Sequence, residues 1–82
     1  MNFDELVQEE RDKQDIKWGA QNHKPSLWLA ILTEEVGEAS SEIIALEFSP
    51  IMQTRHNLGY EIVQIAAVAK AMYESLERNR WI

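Results

Sequence analysis

Apolar residues recur every three to four positions along this chain, and the recurrence breaks only between Gly19 and Pro25 and at Ser49-Pro50. A period of 3.6 residues marks amphipathic helix, and no stretch alternates as a half-buried strand would. The sequence therefore predicts an all-α fold of three helices, with residues 1–82 as one domain. The first helix is expected to start at Asn2, with Glu5 completing a capping box, and to stop at Gly19. Ser26 is expected to cap a second helix that runs to Phe48. Ser49 as N-cap and Pro50 at the first helical position are expected to start a third, reaching about Arg78.

Each helix carries an apolar stripe, and each stripe is interrupted by polar groups. On the first, Phe3, Leu6, Val7 and Trp18 share their face with Gln14 and Lys17. On the second, Leu27, Trp28, Ile31, Leu32, Ala39, Ile43 and Leu46 share theirs with Glu35, Glu38 and Glu42. On the third, Leu58, Ile65, Val68, Met72 and Leu76 surround Glu61, with Gln64 at the edge. A desolvated carboxylate has to be paired, protonated or metal-bound, so acids on a core-facing stripe point to a cation. Side chains three residues apart on a helix lie about 5–6 Å from each other, close enough to share one ion. Oxygen-only ligation suits magnesium, or manganese, rather than zinc or copper. An acidic cluster is more often a solvated face, and Glu42 fits that reading best. Glu34, about 100° round the helix from Glu35, is a weaker candidate for direct ligation than its neighbours.

Composition narrows the function further. With 14 acidic against 8 basic residues and a formal charge of −6, a nucleic-acid polymer is a poor partner. There is no cysteine, which removes thiolate metal sites and cysteine nucleophiles. No basic-then-apolar leader and no membrane-length apolar run is present, so the expected location is cytoplasmic, with no membrane contact. Neither histidine follows a Glu by three positions, as carboxylate-bridged di-iron bundles require. No glycine-flanked serine elbow is present either.

Glu34-Glu35-Val36-Gly37-Glu38 and, after 22 intervening residues, Glu61-Ile62-Val63-Gln64 resemble the split Glu-Glu-x-x-Glu…Glu-x-x-Asp motif of the MazG-like all-α nucleotide pyrophosphohydrolases. The resemblance extends over nearly the whole chain. Lys17-Trp18-Gly19 and Gln21-Asn22-His23 look like small phage-type members, and Glu61 to Ala69 resembles their later helix. It implies a three-helix antiparallel bundle unit completed by self-association into a homodimer or homotetramer. It implies a magnesium-dependent reaction that converts an NTP or dNTP to its monophosphate and pyrophosphate. Carried over by position, Glu35, Glu38, Glu61 and Gln64 would hold magnesium, with Glu34 or Glu38 orienting or deprotonating the attacking water. Lys17, Trp18, Asn22, His23 and Asn57 are the candidates for substrate contact, with Asn57 one turn ahead of Glu61.

Position 64 departs from the motif, which has Asp there. An amide oxygen can ligate magnesium but brings no charge. The rival expectation is thus a catalytically weak or inactive MazG-like helical module that binds a nucleotide or a partner.

Overall fold

Asn2 folds its side chain over the first turn of helix α1 (Phe3–Trp18), accepting from the Glu5 N–H at 2.9 Å while the Glu5 carboxylate accepts from the Asn2 N–H at 3.2 Å. This reciprocal capping satisfies two donors that a helix start leaves free. Gly19 ends the helix with φ +68°, and its N–H donates to the Asp15 carbonyl at 2.8 Å. A side chain at that φ would be strained. In the computed structural model, which describes residues 1–82, two further helices follow: α2 (Pro25–Phe48) and α3 (Met52–Arg78). The chain is all-helical, as the sequence predicts.

Two helix starts differ from expectation. Ser26 does not cap α2: Lys24 occupies the N-cap position without a side-chain bond, and Pro25 is the first helical residue. Proline needs no hydrogen-bond acceptor for a backbone N–H and arrives with helical φ, so this start works without a polar cap. Ser49 does not begin α3. Its N–H donates back to Ala45 and closes α2, which leaves Pro50 between the helices. The start of α3 is organised by Thr54, whose hydroxyl accepts from the Ile51 N–H at 3.1 Å and lies 2.7 Å from the Ser49 carbonyl.

Helices α2 and α3 form an antiparallel hairpin, and α1 packs on α3 but not on the backbone of α2. The core therefore lies mainly between α2 and α3, where Trp28, Val68, Ala71 and Leu76 are buried with Ile31, Leu32 and Met72 against them. Trp28 is only 1% exposed, and its indole N–H donates to the hydroxyl of the fully buried Ser75 at 3.1 Å. Ala67, Ala71 and Ser75, spaced four apart, put small side chains on α3 where its neighbours approach. The last helix ends in a Schellman turn, with Arg80 N–H bonded to Glu77 and Trp81 N–H to Leu76. Arg80 takes the left-handed conformation, φ +62°, that glycine usually fills. No helix is long and apolar enough to cross a membrane.

The apolar stripes are covered unevenly. Phe3, Leu6, Trp18, Leu27 and Ile43, all expected to face inward, remain exposed, and Lys17 points to solvent. The cause is geometric: the α1 backbone approaches α3 and not α2, so only Val7 on its stripe is buried.

Truncating Trp28 to Ala should cost about 3–5 kcal/mol, and Ser75→Ala, which strands a buried indole N–H, about 1–3 kcal/mol. Urea unfolding followed by circular dichroism measures both. A Trp28→Ala chain with an unchanged midpoint would mean that the core is elsewhere.

Candidate metal centre

Glu35 and Glu38 lie three residues apart on α2, on the side that the antiparallel hairpin turns towards Glu61 of α3. One carboxylate oxygen from each comes within 4.8 Å of the other two. Glu35 and Glu61 are half-buried, whereas Glu38 sits exposed at the open rim. One buried oxygen on Glu35 and one on Glu61 have no hydrogen-bond partner. No basic side chain pairs with the cluster, since the ion pairs of the chain lie along α1 and between Arg11 and Glu74.

This arrangement raises the proton affinity of the cluster. Burial pushes the Glu35 carboxyl above its ordinary value of 4.5, with the Glu38, Glu61 and Glu34 charges adding to the effect. Burial likewise lifts Glu61, and Glu38 and Glu42 reinforce it. Unpaired acceptors, mutual repulsion and an absent counter-charge together describe a carboxylate set suited to a hard divalent cation. Glu35, Glu38 and Glu61 fit magnesium or manganese in donor type.

Gln64, one turn beyond Glu61, is buried at 8% exposure. Its carbonyl oxygen, the atom able to ligate a metal, accepts instead from Gln14 Nε2 at 3.5 Å. Its amide nitrogen is buried without a partner. Comparisons with family models, curated proteins and solved structures returned no match to the chain. The assignment of roles therefore rests on side-chain chemistry and on the motif resemblance.

The other candidates separate into two groups. Glu34 is exposed beside the cluster and acts on Glu35 through its charge. Asn57 is half-buried one turn before Glu61 and accepts from Gln53 at 2.6 Å. Trp18 lines a small cavity with Glu35 and Gln64, and Trp28 forms part of the same wall. His23 packs edge-on against Trp28 with centroids 4.8 Å apart. Asn22 is not brought to the acids: its side-chain oxygen accepts from Arg78 and Asn79 at the end of α3. Seventeen residues separate Arg78 from Glu61 on one helix, roughly 25 Å at 1.5 Å per residue. Lys17 lies over the Trp18 ring, its Nζ 4.7 Å from the centroid.

Arg11 went unremarked in the sequence because nothing in its helix distinguishes it from other surface arginines. In the fold it is largely buried and donates to Gln14 and Asp15 while reaching Glu74.

With Glu35 and Glu61 raised, the folded chain holds protons more tightly than the unfolded one. Its contribution to stability is present at low pH and is lost as pH rises through the raised values. In chelator, the melting temperature should thus climb on going from about pH 7 to about pH 5, and Glu35→Gln or Glu61→Gln should flatten that slope. Saturating magnesium at neutral pH should raise the melting temperature of the parent chain and not of a variant that combines Glu35→Gln, Glu38→Gln and Glu61→Gln. Equal magnesium shifts in parent and variant would remove the cluster from consideration.

Proposed function

We propose that the chain is a magnesium-dependent nucleotide pyrophosphohydrolase that cleaves an NTP or dNTP to the monophosphate and pyrophosphate. The observation that carries this reading is the convergence of Glu35, Glu38 and Glu61 from two helices, with two buried oxygens left unpartnered. The resemblance to the MazG-like motif supplies the scissile bond. Glu35, Glu38 and Glu61 would hold magnesium, which would supply charge to offset the phosphates and to make a water more acidic. Glu35 and Glu61 hold fixed positions because their helices are packed, while Glu38 reaches both from the rim. Glu34 or Glu38, both exposed to solvent, would orient the water and accept its proton at a carboxylate oxygen. The half-exposed Trp18 ring, near Glu35, would offer a surface against which a base can stack.

Self-association belongs to the same reading. The accessible surface of 5848 Å² exceeds the roughly 5,000 Å² expected of a compact monomer this size. The radius of gyration, 14.0 Å, likewise exceeds about 12 Å. On α2, Leu29, Val36, Ile44 and Phe48 remain exposed on a helix that already buries another face. A helix apolar on several sides calls for cover on each. A homodimer or homotetramer supplies it and would bring a second subunit to the open rim at Glu38.

A second reading has its own support. Gln64, in the place of an expected Asp, turns its oxygen to Gln14, which leaves a ligand set one charge short. Such a chain would be a MazG-like module that binds nucleotide with little turnover.

Pyrophosphate release from a panel of NTPs and dNTPs distinguishes the two. The enzyme reading expects magnesium-dependent release that falls at least about a hundredfold in Glu35→Gln and Glu61→Gln, beyond the ten- to hundredfold typical of outer-shell changes. Nucleotide binding without release would establish the module. For the assembly, light scattering at micromolar concentration should give at least a dimer, and a monomer there would reject the proposed subunit contact.

A further inference from the structure

Ala20, Gln21, Asn22 and His23 join α1 to α2 without a single backbone–backbone hydrogen bond, and the backbones of the two helices they connect do not approach each other. A loop of that kind takes its position from side chains. Here they come from the far end of α3. Arg78 donates to the Asn22 side-chain oxygen from Nε at 3.0 Å and from Nη2 at 2.7 Å, and Nη2 also reaches the Gln21 carbonyl at 3.1 Å. Asn79 brings a third donor to the same Asn22 oxygen, its Nδ2 at 2.8 Å. That nitrogen is itself held, because it also donates to the Ser75 carbonyl at 2.8 Å. The Ser75 hydroxyl accepts from the buried Trp28 indole, so one residue of α3 anchors both the clamp and the core ring. An isolated exposed pair would add little. Arg78, however, forms no ion pair with a carboxylate, and three donors on one acceptor make a directed network. Turning the Asn22 amide over would set its nitrogen against all three.

What the clamp sets is the residue that follows it. His23 packs edge-on against Trp28, and Trp28 stands with the half-exposed Trp18 in the wall that Glu35 also lines. We propose that Asn22 is a positioning residue: its oxygen, gripped by Arg78 and Asn79, fixes the α1–α2 loop and thereby sets His23 beside the candidate nucleotide site. On this account Asn22 acts through His23 and touches no nucleotide itself. The inference rests on the nucleotide reading of that site, in which His23 is a substrate contact.

The first arm of the test needs no ligand. In the full-length chain the Trp28 ring current displaces the His23 ring-proton resonances from their free-peptide positions. Asn22→Ala should return them most of the way while the far-ultraviolet circular dichroism stays the same. Arg78→Lys, which keeps the charge but lacks the fork, should do likewise, and it carries the test if Asn22→Ala folds poorly. Asn22→Asp, whose carboxylate accepts from the same three donors, should keep the parent resonances. The second arm uses a panel of NTPs and dNTPs with magnesium. Asn22→Ala should raise KM, or Kd if the chain binds without release, at least about tenfold. Its kcat should stay within about twofold, as when binding is lost equally from substrate and transition state. Asn22→Asp should restore the parent value. If the Asn22 amide nitrogen instead held the nucleotide directly, Asn22→Asp would keep His23 in place yet fail to restore binding, because a carboxylate cannot donate and repels phosphate. That outcome would overturn the proposal, as would unmoved His23 resonances in both Asn22→Ala and Arg78→Lys, or displaced resonances with an unchanged KM. A parent chain that neither binds nor cleaves any member of the panel would reject the nucleotide reading, and the role in the site with it. Nucleotide binding with unmoved His23 resonances would reject the clamp alone.

Discussion

The register of the α2–α3 hairpin is the constraint on which the rest depends. Trp28 seats against Ser75 at one end of the pair, and the antiparallel run then sets Glu35 and Glu38 opposite Glu61. A slip of one helical turn, about 5.4 Å, would carry Glu61 past its partners and leave each carboxylate facing apolar side chains. Packing of a large, nearly inaccessible indole thus does for the acids what their own repulsion opposes. The favourable burial lies in the core and the unfavourable charge in the cluster, on the same two helices.

That division gives the cluster its chemistry. Carboxylates brought together by a rigid scaffold, with burial and like charge both raising their proton affinity, gain from any divalent cation that replaces the proton. The open rim at Glu38 leaves a way in from solvent, whereas Glu35 and Glu61 lie deeper against the packed helices. Gln64, one turn beyond Glu61 and bonded to Gln14, is neutral. A carboxylate at position 64 would have joined the repulsion of the cluster.

The peripheral position of α1 leaves much apolar surface open. Because α1 packs on α3 alone, the hairpin is covered on one flank, and the outer face of α2 meets solvent.

Much of the fold and of the acidic set was legible in the residues themselves. Helical period, the Asn2–Glu5 cap and Gly19 are local, fixed by backbone geometry and hydrogen bonding within a few positions. The placement of Glu35, Glu38 and Glu61 on apolar stripes follows from the 3.6-residue repeat, and so does the inward view of Gln14. The starts of α2 and α3 differ from the sequence expectation because a proline can lie at the first helical position, as Pro25 does, or just ahead of the helix, as Pro50 does once α2 claims the Ser49 N–H. What only the tertiary structure decided involves partners 47 to 57 positions apart: Trp28 with Ser75, Gln14 with Gln64, and Asn22 with Arg78 and Asn79. A single helix specifies which side chains share its face, but not which neighbour that face meets or at what depth. Those depend on how α1 and α2 seat on α3, and that seating set Arg11 within reach of Glu74, drew Asn22 away from the acids, and turned Gln64 towards α1.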